Sequence, residues 1–92
     1  MAIRITAIRM SVGQTHQHIV RLWWTNPSTG KTGNNSRDEI IAWIEDHDGK
    51  AYVDEGGYRV NVYVRTPASG PKFLQTAADG RWLNNLLALP RM

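Results

Sequence analysis

Residues 36–66, SRDEIIAWIEDHDGKAYVDEGGYRVNVYVRT, decide the fold because their hydrophobic period changes partway along. Ser36 and Glu39 have the spacing of a capping box, in which each side chain satisfies the other residue's backbone N–H. Asp38 and Glu39 then sit near the positive end of a helix dipole. Ile40, Ile41, Trp43 and Ile44 follow as a helical apolar stripe, and Gly49 is the expected stop. A helix is predicted over residues 37–47. After it, residues 50–53 read as a short strand and residues 54–57 (DEGG) as a tight turn. Residues 58–66 alternate strictly: Tyr58, Val60, Val62 and Val64 face one way, and Arg59, Asn61, Tyr63 and Arg65 the other.

Strands are also expected on both sides of this stretch. Residues 2–10 alternate through Ile3, Ile5 and Ala7, then slip phase to Ile8 and Met10, which a bulge near Ala7 would produce. Residues 16–25 read as a second strand, with His18, Val20, Leu22 and Trp24 on one face and Gln17, Ile19, Arg21 and Trp23 on the other. Residues 26–35 (NPSTGKTGNN) are rich in turn formers and read as a loop. Residues 72–78 form a further strand, and Asp79-Gly80 signals a hairpin returning through residues 81–83. Trp82 and the leucines 83, 86, 87 and 89 make the C-terminal segment apolar, so it should dock on the core with Trp82 inward. Asn85 is placed to cap one helical turn that Pro90 would end. The expected fold is α+β: a small antiparallel sheet of about five strands with one helix on one face, in the order β-β-α-β-β-β, over residues 1–92 as one domain.

Composition narrows the function classes. The chain has no cysteine, which excludes disulfides and cysteine-based zinc sites. The first ten residues lack the apolar core of a secretory signal, and no apolar run approaches the ~20 residues of a membrane span. A cytoplasmic location without membrane contact is expected. The net charge of +3 is mild, but its distribution is not even. Seven of the eight acids lie within residues 36–55, and nine of the eleven basic residues lie outside that window. An acidic element on a basic body is expected, and clustered positive charge attracts polyanions.

Three groups of residues invite a chemical reading. Residues 28–32 (STGKT) resemble part of a phosphate loop, but Thr25 stands where the first glycine is needed and no helix begins at once. They read as an ordinary loop. His16 and His18 would share a strand face, making them candidate metal ligands or general bases, with the acids near His47 as further partners. Their spacing matches no recognised metal pattern, so no metal, cofactor or catalytic residue is assigned. The third group is Arg21, Trp23, Arg59, Tyr63 and Arg65. If their strands were neighbours, one face would combine aromatic rings with arginines, which suits single-stranded nucleic acid. The alternative is a solvated face whose arginines lie over the rings.

Four segments, ITAIRM, HIVRLWWTNPSTGKTG, GKAYV after the helix, and DGRWLNNLLALPRM, resemble the small bacterial domain-of-unknown-function family numbered 3892. The most specific are the Trp-Trp-Thr-Asn-Pro run and the Leu-Leu-Ala-Leu-Pro end. The resemblance covers almost the whole chain and implies a compact α+β domain in a bacterial or phage setting. It supplies no catalytic residue. The functional expectation is therefore a small non-enzymatic binding module, contacting nucleic acid through the basic aromatic face. The alternatives are a protein-interaction or self-associating module and a small enzyme or metal protein.

Overall fold

The structure is a computed structural model and describes residues 2–92. Its elements are β1 (Ala2–Met10), a 3-10 turn (His16–His18), β2 (Ile19–Thr25), β3 (Thr32–Ser36), α1 (Arg37–Asp46), β4 (Lys50–Glu55), β5 (Tyr58–Arg65), β6 (Phe73–Ala78) and β7 (Arg81–Leu83). The strands form one sheet in the order β3-β2-β1-β4-β5-β6-β7. The fold is α+β with one helix, as expected. The sheet, however, has seven strands rather than about five, and it is mixed, because β1 and β4 run parallel. The element order is β-β-β-α-β-β-β-β rather than β-β-α-β-β-β.

Two features account for the difference. The first is β3, whose sequence TGNNS reads as loop because it offers almost nothing apolar to a sheet. Its place is fixed by polar bonds to β2. Arg21 Nη1 donates to Asn34 Oδ1 at 2.7 Å, and Trp24 Nε1 donates to Asn35 Oδ1 at 2.8 Å. A short polar edge strand also discourages pairing with another chain. The second feature is Ser36, which ends β3 and caps α1 in the same residue. The helix then carries the chain back along the sheet, and β4 enters beside β1 in the parallel sense that only such a crossover allows.

The capping box forms as predicted. Ser36 N donates to Glu39 Oε1 at 2.9 Å, and Glu39 N to Ser36 Oγ at 3.2 Å. The helix stops differently. Asp48 takes the left-handed φ of 53°, and Gly49 N donates to Trp43 O at 3.2 Å, closing the last turn. Gly49 is required for another reason: a Cβ there would stand 2.3 Å from the Trp43 ring.

Two register shifts shape the N-terminal hairpin. Ile5 pairs with Trp24 and Ala7 with Trp23, leaving Thr6 as the extra residue of the bulge expected near Ala7. A second shift, between Arg9 and Met10, leaves Val20 unpaired and exposed while Ile19 turns inward. The expected grouping of Val20 with Leu22 and Trp24 is thereby corrected. His16 and His18 are not in a strand either. They lie in the 3-10 turn.

The core joins Ile3, Ile5 and Ile8 of β1, Ile19 and Leu22 of β2, Ile40 and Ile41 of α1, and Val53, Val62 and Leu74 of the later strands. The helix touches β2, β3 and β6, although β6 lies four places from β2 in the sheet. The sheet therefore curls around α1, with an inner apolar face and an outer face turned to solvent. The C-terminal segment docks as expected. Leu86 is buried in the core, Ile8 N donates to Pro90 O at 3.0 Å, and Met92 N donates to Ile8 O at 2.9 Å. Residues 85–89 form successive turns, with Ala88 N on Asn85 O and Leu89 N on Leu86 O. The Asn85 side chain bonds the buried Thr76 hydroxyl and Glu55 instead of capping a helix. Trp82 contradicts the inward expectation: it lies on the outer face and is 47% exposed.

Candidate functional site

The alternation of β5 sends Val60, Val62 and Val64 inward and Arg59, Asn61, Tyr63 and Arg65 outward. Pairing with β6 sets Gln75 beside Tyr63, Phe73 beside Arg65 and Ala77 beside Asn61. The Asp79-Gly80 turn, with φ of 54° and 75°, is of the primed kind that two-residue hairpins favour. It returns the chain so that Trp82 pairs with Ala77 and joins the outer face. Trp82 and Tyr63 meet edge to face, with centroids 6.4 Å apart and planes at 80°.

Arg65 organises this cluster. Its guanidinium lies 4.3 Å from the Trp82 ring centroid and 5.3 Å from that of Phe73. Arg65 Nη1 donates to Gln75 Oε1 at 2.9 Å, and Gln75 Nε2 donates to Leu83 O at 3.2 Å. Arg59 lies over Tyr52 at 4.3 Å. Arginines over aromatic rings hold their charge in a fixed place while leaving it partly hydrated. Tyr63, 46% exposed, and Trp82 border an open depression of about 370 Å³ at the β6–β7 turn, which Arg81 also lines.

Arg21 and Trp23 do not join this cluster. They lie on the same outer face, but β1 and β4 stand between β2 and β5. Three strand steps of ~4.8 Å give a separation of roughly 14 Å. Arg9 of β1 lies 5.1 Å from the Trp23 centroid, and Arg4 pairs in register with Tyr52 of β4, so basic and aromatic groups continue across the gap. Among the described residues the ion pairs are Arg37–Asp38 and Lys72–Glu45, and none involves an arginine of the outer face. The acids of α1 lie on the opposite side of the sheet.

The sequence did not point to Trp82, Phe73, Gln75 or Arg9 as members of this face. The adjacent Phe73 and Leu74 are both apolar, so FLQTAA has no clean alternation to show which phase is inward. Register counted through the two-residue turn would have placed Trp82 beside Ala77, in phase with Gln75 and Phe73.

The histidines have separate roles. His18 Nδ1 is 2.8 Å from Thr15 Oγ1. His16 is 8% exposed and its Nε2 has no hydrogen-bond partner. Burial first, and the Arg65 charge second, lower its pKa from 6.5. Among the described residues no three His, Cys, Asp or Glu side chains cluster closely enough to hold a metal ion. A His that titrates lower in the folded state is bound by fewer protons there than in the unfolded chain, so stability should fall as pH drops below 6.5 towards the folded value. Urea midpoints at about pH 7.5 and about pH 5.5 should show this loss, and His16→Gln should flatten the difference. Equal slopes in both proteins would show that His16 is not its source.

The match to known families is now specific. The family model described as Protein of unknown function (DUF3892) covers residues 4–90. The chain belongs to this family. No curated protein and no solved structure matches it. Membership extends over β1 through the docked C-terminal segment, so the outer-face cluster and the core beneath it both fall within the family's span. Among the described residues no helix is long and apolar enough to cross a membrane.

Proposed function

We propose that the chain is a single-domain, non-enzymatic binding module of a bacterial or phage cytoplasm, and that single-stranded nucleic acid lies on its outer sheet face. The observation that carries this reading is the pair Tyr63 and Trp82, both half exposed and edge to face, beside Arg65, which forms no ion pair among the described residues. Large rings left in water forgo burial free energy, which a ligand base recovers by stacking on them. Arg65 is held between Phe73 and Trp82, so little side-chain freedom is lost on binding. The depression beside these rings suits a single splayed nucleotide better than a rigid duplex. Arg59 and Arg65 meet the backbone, and Arg4, Arg9, Arg21 and Trp23 extend the path across the sheet.

Fluorescence anisotropy with short unstructured RNA and DNA tests this. Log affinity should fall linearly with log salt, with a slope of about −2 if three phosphates are contacted. No binding at low salt would remove the reading. The separation of the acidic helix from the basic face supports a second one, self-association of the two surfaces. A monomer in light scattering at high protein concentration would remove that one.

A further inference from the structure

The side of the sheet opposite the arginines holds a hollow of about 160 Å³, between α1 and the strands β1 to β3. Its walls are Ile3, Trp24, Ile40 and Trp43, and Asn35 and Glu39 are its polar members. Both indoles are held in place. Trp24 Nε1 is bonded to Asn35 Oδ1, and the Trp43 ring lies against Gly49. Glu39 is anionic: the Ser36 backbone N–H first, and the Ser36 and Asn35 side chains next, hold its carboxyl below the usual range. Arg21, whose charge also reaches Glu39, makes no ion pair with it and bonds Asn34 instead.

We propose that this hollow binds a methylated ammonium group. Its volume is below the ~300–1,000 Å³ of sites for drug-sized ligands, so the occupant is one small group rather than a nucleotide. Anions are repelled by Glu39. A neutral apolar group would gain nothing from the exposed Glu39 carboxylate at the rim. A metal ion would find a single carboxylate, too few ligands for a stable site. A primary ammonium is compact and strongly hydrated, and beside two indoles and two isoleucines the already hydrogen-bonded Asn35 and Glu39 replace too few of its hydrogen bonds. A trimethylammonium group has no N–H to satisfy. It presents methyl surface to Ile3 and Ile40, a cation to the rings of Trp24 and Trp43, and charge to Glu39. This is the chemistry of quaternary-ammonium recognition by aromatic side chains.

The test is an NMR titration that follows the indole N–H signals of Trp24 and Trp43. Choline and a trimethyllysine peptide supply the same group from a free small molecule and from a protein chain. The control is 3,3-dimethylbutan-1-ol, the uncharged isostere of choline. Saturable shifts are expected with at least one cation, and binding of the isostere should be at least about tenfold weaker. A peptide affinity well above that of choline identifies a protein chain as the source, and equal affinities identify the free group. Glu39→Gln retains a residue that can serve in the capping box but loses the charge at the helix N-terminus, so it should lower the melting temperature by only a few degrees while weakening binding about tenfold. Absence of saturable shifts with both cations, or equal binding of choline and its isostere, overturns the proposal.

Discussion

Leu86→Ala is expected to lower the unfolding free energy by about 2–5 kcal/mol, the range for deleting a fully buried leucine side chain. Leu86 has no solvent exposure and packs in the same core as the isoleucines of β1 and the helix. It is also the last fully buried side chain before the chain bridges to Ile8. The truncation therefore opens a cavity and loosens the attachment of residues 90–92 to β1. Native domains have net stabilities of about 5–15 kcal/mol, and a chain of this size lies toward the lower end. In a domain of this length each kcal/mol moves the melting temperature by roughly 4–8 °C, so a fall of at least about 8 °C is expected. Leu89→Ala, at a partly buried position, should cost less. Calorimetry or urea unfolding measures both. A loss below about 1 kcal/mol for Leu86→Ala would show that the core does not depend on this segment.

The sequence carried local instructions well and long-range ones poorly. The capping box of Ser36 and Glu39, the alternation of β5 and the Asp79-Gly80 turn are specified by residues close in sequence, and all three form. The Thr6 bulge was legible because an apolar phase slip leaves a mark in the sequence. β3 was not, because Asn34 and Asn35 hold their strand by side-chain bonds to Arg21 and Trp24 rather than by apolar alternation. The parallel pairing of β1 with β4 follows from where α1 delivers the chain, and no local pattern encodes that. The candidate face shows the same division. Tyr63 and Arg65 share one strand phase and both meet Trp82, whereas Arg59 lies toward the other end of β5 over Tyr52, and Arg21 and Trp23 depend on strand order and lie three strand steps from β5. Trp82 was misassigned because a large apolar ring was equated with burial, when cation and aromatic neighbours on the outer face hold it instead.

That position makes Trp82 the sharpest probe of function. Removing a buried tryptophan costs about 3–5 kcal/mol. Trp82→Ala removes a half-exposed ring, its edge-to-face contact with Tyr63 and its stacking under Arg65. Those two contacts are worth roughly 0.5–1.5 and 0.5–1 kcal/mol, so the expected loss of stability is about 1–2.5 kcal/mol. Its effect on binding should be larger. Each lost base–aromatic stack costs roughly 1–3 kcal/mol, or about 5- to 150-fold in affinity. Tyr63→Ala should behave similarly, and the double variant should leave only the electrostatic attraction of the arginines. That residue of binding is screened by salt, whereas stacking is not, so wild type and double variant should diverge further as salt rises. Arg21→Ala, at least three strand steps from the rings, provides the contrast: it should reduce the salt slope by about 0.7 if Arg21 contacts a phosphate, without removing a stack. A double variant that binds as tightly as wild type at high salt, while remaining folded, would show that the rings serve only to seat Arg65. The outer face would then be a solvated surface rather than a binding platform.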